Sequence, residues 1–176
     1  GASAEGDGIV VGEGPVPVAA YIDFQCPFCR MFEEQSGPAL RQMVAERLIS
    51  LVYHPLAFLD ALSTNHYSSR ASASSGCAAD AGKFADYLEA LFANQPPEGG
   101  PGLSNDQLIQ FGHAVGIEDA GFDRCVAAYA YLPWTAYVTG RAMARGVQGT
   151  PTVFVAGAPV PANARTIAAA VAAVAA

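Results

Sequence analysis

Two cysteines stand two residues apart in Cys26-Pro27-Phe28-Cys29, a spacing suited to dithiol–disulfide chemistry. At a helix start, a Cys-x-x-Cys turn lets the two sulfurs meet as a reducible disulfide. The unpaired N–H groups of the first turn also favour a thiolate on the first sulfur. Pro27 suits the first helical position, because it has no N–H to leave unpaired and its φ is pre-set. The same spacing is also half of a zinc site. The other half would have to be Cys77 and Cys125, which lack the tight spacing of metal knuckles, so no metal is expected. A second motif lies late in the chain. In Gly149-Thr150-Pro151-Thr152-Val153-Phe154-Val155 a proline opens a β-branched and aromatic strand.

The elements that must position these residues follow from patterning. Ile9-Val10-Val11 is a short β-type run, and residues 16–24 form a near-continuous apolar strand, as expected of a central strand covered on both faces. Residues 27–48 read as helix, with Gly37-Pro38 expected to kink or split it. A second buried strand falls within 49–58, so the opening is a right-handed βαβ unit. From 62 to 145 the pattern is helical: 62–80, 83–94, a helix opened by the Ser104/Gln107 capping box, then 120–131 and 133–145. The Pro- and Gly-rich stretch 95–102 is a loop. A hairpin turning at Gly157 and an Ala-rich helix capped by Asn163 close the chain.

The 176 residues suit one domain, with room for a subdomain, and much of the hydrophobic content of 52% is alanine. A net charge of −7, with eight Arg and one Lys, argues against nucleic acid or acidic membranes as partners. Once the close cysteine pair is set aside, Cys77 and Cys125 remain. In a reducing cytosol they are two spare thiols. In an oxidising compartment they are a staple worth about 4 kcal/mol on chain-entropy grounds, and the staple is the expectation. Residues 1–8 read as a flexible linker. No stretch reads as a secretory signal, and the longest apolar run, 167–176, is too short to span a bilayer.

Asp23 is either a buried proton relay or a polar strand end. His54, His66 and His113 are scattered and expected to be structural or surface residues. Trp134 with Tyr129, Tyr131 and Tyr137 reads as packing within the helical block, and Glu33 and Glu34 as solvated.

Taken together, Asp23-Phe24-Gln25-Cys26-Pro27-Phe28-Cys29, Gly149-Thr150-Pro151-Thr152 and the hairpin resemble the DsbA-like family of thiol:disulfide oxidoreductases, in its Gram-positive and actinobacterial form. The resemblance implies an α/β thioredoxin fold with an inserted all-helical domain. The thioredoxin-like part would be 9–61 with 146–176, and the insert 62–145. It implies that Cys26 is an exposed nucleophile and Cys29 a buried resolving thiol. Pro27 and Phe28 would support the site beside Thr150, and Pro151 would follow a cis bond. Phe28 stands where many DsbA proteins have a histidine, which leaves the thiolate without that charge.

The implied activity is an extracytoplasmic oxidase that introduces disulfides into exported proteins. It needs no cofactor beyond the Cys26–Cys29 disulfide, is monomeric, and is reoxidised by a membrane partner of the DsbB or vitamin-K-epoxide-reductase type. The protein would be secreted, or anchored by a segment outside this sequence. A reductase or isomerase on the same fold, and a non-catalytic peptide-binding chaperone module, are the alternatives.

Overall fold

The apolar run at 16–24 sets the centre of the molecule. In the computed structural model, which describes residues 1–176, strand β2 (Val16–Ile22) is the middle strand of a five-stranded sheet ordered β1-β3-β2-β4-β5. Strand β3 (Ile49–Pro55) runs parallel to it, with Val18 opposite Leu51, and helix α1 (Pro27–Ala45) makes the crossover. On the other side β4 (Thr152–Val155) is antiparallel to β2, and β5 (Ala158–Val160) completes the hairpin. The turn places Ala156 and Gly157 at positive φ, 47° and 82°. Strand β1 (Ile9–Val11) caps the far edge, antiparallel to β3.

Side chains alternate across β2. Val16, Val18, Ala20 and Ile22 join Phe32 and Leu40 of α1 and Ile167 of the last helix in the main core. Tyr21 faces the other way, against Val138 and Ala142. Between β3 and β4 lie five helices: α2 (Tyr67–Asp80), α3 (Phe84–Ala93), α4 (Asn105–Ala114), α5 (Ala120–Ala127) and α6 (Leu132–Ala144). A 3-10 turn at Asp60–Leu62 precedes them, so α2 starts five residues later than its pattern suggests. Helix α4 carries both hydrogen bonds of its capping box. Helix α7 (Ala164–Ala175) follows, with Asn163 accepting from the Thr166 N–H. A disulfide joins Cys77 on α2 to Cys125 on α5, with Cα atoms 5.9 Å apart.

Three expectations need correction. Helix α1 is not split at Gly37-Pro38 but runs through it and ends at Ala45. Phe32 precedes the proline, Leu40 and Met43 follow it, and all three are buried, so core packing carries the helix across the missing donor. Glu33 is not solvated: it is 6% exposed, and its Oε1 accepts from Arg41 Nη1 at 2.7 Å over the bare Gly37. Burial pushes its carboxyl above the ordinary range.

Residues 1–8 are not a loose leader either. Ala2 bridges Ile9, and Asp7 is 2% exposed, with its carboxylate 2.9 Å from Arg145 Nη1. Glu5 pairs with Arg141 and Arg145. Trp134 Nε1 donates to Gly6 O at 2.8 Å and Tyr137 Oη to Glu5 O at 3.0 Å, so these aromatics fasten the N-terminus as well as filling the helical block.

The disulfide closes a loop over a sequence separation of 48 residues. Replacing Cys77 and Cys125 together with Ala should lower unfolding stability by about 4 kcal/mol. Denaturant unfolding checks this, and the rate of thiol exchange at the other cysteine pair should be unchanged.

Candidate active site

Helix α1 begins at Pro27, which makes Cys26 its N-cap residue, with extended backbone at φ −75° and ψ 119°, and places Cys29 in the first turn. The Cys29 and Arg30 N–H groups donate to Cys26 O at 3.1 and 3.2 Å. No side chain caps this helix, so the Cys26 sulfur occupies the place a capping oxygen would take. Cys26 and Cys29 are both free thiols. The expectation of an exposed Cys26 is corrected: it is 5% exposed and Cys29 is fully buried. Cys26 is instead reached through a groove of about 770 Å³ walled by Pro27, Phe28, Phe58, Met143 and the segment 146–150. Phe28 and Met143, 67% and 61% exposed, stand on its rim.

The two sulfurs differ sharply in acidity. The Cys26 thiol is brought from its ordinary 9.0 down to about 6, chiefly by the Cys29 S–H donating to it. Burial opposes this, while the Thr150 hydroxyl and the Cys29 and Phe28 N–H groups reinforce it. Burial first, and then its role as donor to Cys26, push Cys29 well above 9.0. Between those two values the turn favours a single charge, on Cys26.

Four side chains and one loop hold the turn in place. Asp23, fully buried at the end of β2, accepts at Oδ1 from the Gln25 N–H (2.9 Å) and Ser68 Oγ (2.7 Å), and at Oδ2 from the Leu59 N–H (3.0 Å). Its own N–H points to Cys29 Sγ at 3.5 Å. It therefore pins the site to α2 and to the loop after β3. Burial raises its carboxyl from 3.8 to about 6 against the pull of those three donors. Gln25 is buried and donates from Nε2 to Leu59 O at 2.6 Å. Gln95, from the loop after α3, donates from Nε2 to Phe24 O and Cys26 O at 2.9 and 3.0 Å. From the opposite side comes the Thr150 carbonyl, 3.5 Å from Cys26 Sγ, and the Thr150–Pro151 peptide bond is cis.

Cys26, Pro27, Phe28 and Thr150 thus meet in one groove, with Cys29 behind and Pro151 next in the chain, while Cys77 and Cys125 are bonded to each other elsewhere. His54 stacks on Tyr21, His66 pairs with Asp60 and His113 with Asp123, and none lines the groove. The anchors Gln25, Ser68 and Gln95 were not singled out from the sequence. Only the adjacency of Gln25 to the motif was a signal for any of them. A dithiol with one thiolate and one protonated partner can attack a disulfide, and once oxidised it can be attacked at Cys26.

The profile of the thioredoxin family matches residues 5–174. Among solved structures, reduced DsbA from Mycobacterium tuberculosis is 32% identical, covering 88% of this chain and 84% of that one at a TM-score of 0.78. The reduced disulfide bond oxidoreductase DsbG of the same organism is 33% identical, covering 88% and 80% at 0.78. MdbA, a thiol-disulfide oxidoreductase from Actinomyces oris, shares the fold at 19% identity, covering 95% and 88% with a TM-score of 0.77. Among curated proteins, the serine/threonine-protein kinase PknE of M. tuberculosis is 32% identical over 135 residues, 72% of this chain but 24% of PknE. The chain thus spans about a quarter of the length of the curated relatives it matches.

Brief alkylation of the reduced protein should modify Cys26 with a midpoint near pH 6 and leave Cys29 untouched, as read by peptide mass mapping. Gln95→Leu bares the Phe24 and Cys26 carbonyl oxygens beside the sulfur and should move that midpoint upward, which the ultraviolet absorbance of the thiolate will report.

Proposed function

The chain belongs to the thioredoxin family, and we propose that within it this protein is an extracytoplasmic thiol:disulfide oxidase that introduces disulfides into exported proteins through Cys26 and Cys29. Its likeness to mycobacterial DsbA and DsbG makes it a protein-disulfide oxidoreductase. The direction of electron flow and the place of action are the proposed part.

One observation carries the direction: the same turn lowers the Cys26 thiol to about 6 and raises Cys29. In the oxidised enzyme a substrate thiolate attacks Cys26 Sγ. The Cys26–Cys29 bond breaks, and Cys29 leaves with the electron pair and takes up a proton. The substrate's second thiolate then attacks the substrate sulfur of the mixed disulfide and expels Cys26. Two electrons have passed from substrate to enzyme. Cys26 leaves readily, because a sulfur whose thiolate is stabilised is the better leaving group.

Reoxidation passes those electrons to a membrane quinone-linked partner of the DsbB or vitamin-K-epoxide-reductase type, with the enzyme acting as a monomer. The Cys77–Cys125 disulfide supports an oxidising compartment. No helix is long and apolar enough to cross a membrane.

The linkage has a definite sign. Cys26 titrates near 6 in the folded reduced protein against 9.0 for an ordinary thiol, so it stabilises the reduced fold above pH 9 and loses that contribution as pH falls through 6. The reduced protein should therefore melt higher than the oxidised one at pH 8, with the gap closing toward pH 6. The potential of the pair should lie above the about −270 mV of thioredoxin, though short of an extreme value because Phe28 adds no charge. If the oxidised form melts higher and the potential is at or below that of thioredoxin, the reductase alternative replaces this reading.

A further inference from the structure

The groove leading to Cys26 is built almost without charge. Its walls are Pro27, Phe28, Phe58, Met143 and the segment 146–150, and apart from Cys26 its only ionisable lining residue is Glu98. Glu98 sits on the loop between α3 and α4. That loop is tied to the site by Gln95, and to the segment before α2 by the Gly99 N–H donating to Leu62 O at 2.7 Å and the Thr64 N–H donating to Gly100 O at 3.1 Å. The Glu98 side chain is exposed and makes no ion pair or hydrogen bond. No Lys or Arg lines the groove, and the nearby cations are engaged elsewhere, Arg30 with Glu34 and Arg141 and Arg145 with Glu5. The chain as a whole carries −7.

We propose that Glu98 is a specificity-determining residue that gives the groove a preference for cysteine-bearing segments with Lys or Arg close to the reactive cysteine. The cation pairs with the Glu98 carboxylate, while Phe28, Phe58 and Met143 cover the apolar neighbours. A free carboxylate on an apolar rim rejects an acidic segment by like-charge repulsion as well as attracting a basic one. The net negative charge adds steering of the same sign. The inference rests on the thiol-exchange reading and narrows its substrate class.

The test uses three reduced two-cysteine peptides that differ only in one residue beside the first cysteine, Arg, Gln or Glu, each reacted with stoichiometric oxidised protein. Comparison with variants cancels the effect of that residue on the peptide's own thiol. For the wild type, the ratio of the Arg-peptide rate to the Glu-peptide rate should exceed that of Glu98→Gln by about threefold, the scale of an exposed ion pair. The excess should shrink in high salt, and Glu98→Lys should invert the order. Equal ratios in wild type and Glu98→Gln overturn the inference and leave the oxidoreductase intact. If no peptide exchanges at all, the thiol-exchange reading falls and this inference with it.

Discussion

A sulfur anion with little access to water has to be solvated by the protein itself, and that requirement governs the site. Cys26 is 5% exposed, so the donors that replace water must already be in place: the Cys29 S–H, the Thr150 hydroxyl and the N–H groups of the first helical turn. Each comes from a different part of the chain or depends on the helix starting at Pro27. The central strand fixes where α1 begins, Asp23 and Gln25 fix the turn, and the strand-entry segment brings Thr150 across from far along the sequence. Loss of any of these leaves a partly buried charge short of partners, an expensive state that the fold relieves by protonating the thiol.

The chemistry itself was legible because it is local. A Cys-x-x-Cys turn with proline between the cysteines, the apolar strand before it and the helix after it all fall within a short window. The capping box at Ser104 and the final hairpin are also set by neighbours in sequence. What escaped was non-local. Ser68 reaches Asp23 across 45 residues and Gln95 reaches Cys26 across 69, and nothing about a serine in a helix or a glutamine in a proline-rich loop marks it as an anchor. Glu33 escaped for a related reason. A carboxylate in a helix reads as solvated until Gly37 and Arg41 fold it inward. The N-terminal residues look like a linker by composition, yet Glu5 and Asp7 find Arg141 in the last turn of α6 and Arg145 just past it.

Those two arginines do double duty in the architecture. Arg145 bonds Asp7 and the Tyr21 hydroxyl, and it sits directly ahead of the segment 146–150 that walls the groove. The N-terminus, the second face of the sheet and the approach to Thr150 therefore share one junction. Fastening at the chain's beginning is mechanically continuous with the far wall of the reactive groove.

The sheet's two outer edges tell a separate story. At one end Gly1 and Ala2 lie along β1, with the Val10 N–H donating to Gly1 O at 2.7 Å. At the other, β5 is three residues long with Pro159 in its middle, and Pro161 follows it. Short strands, prolines and a covering segment leave an incoming extended chain few free ladder positions to add to. A protein proposed to handle unfolded, strand-prone clients in quantity is in this way kept from serving as a template for their aggregation.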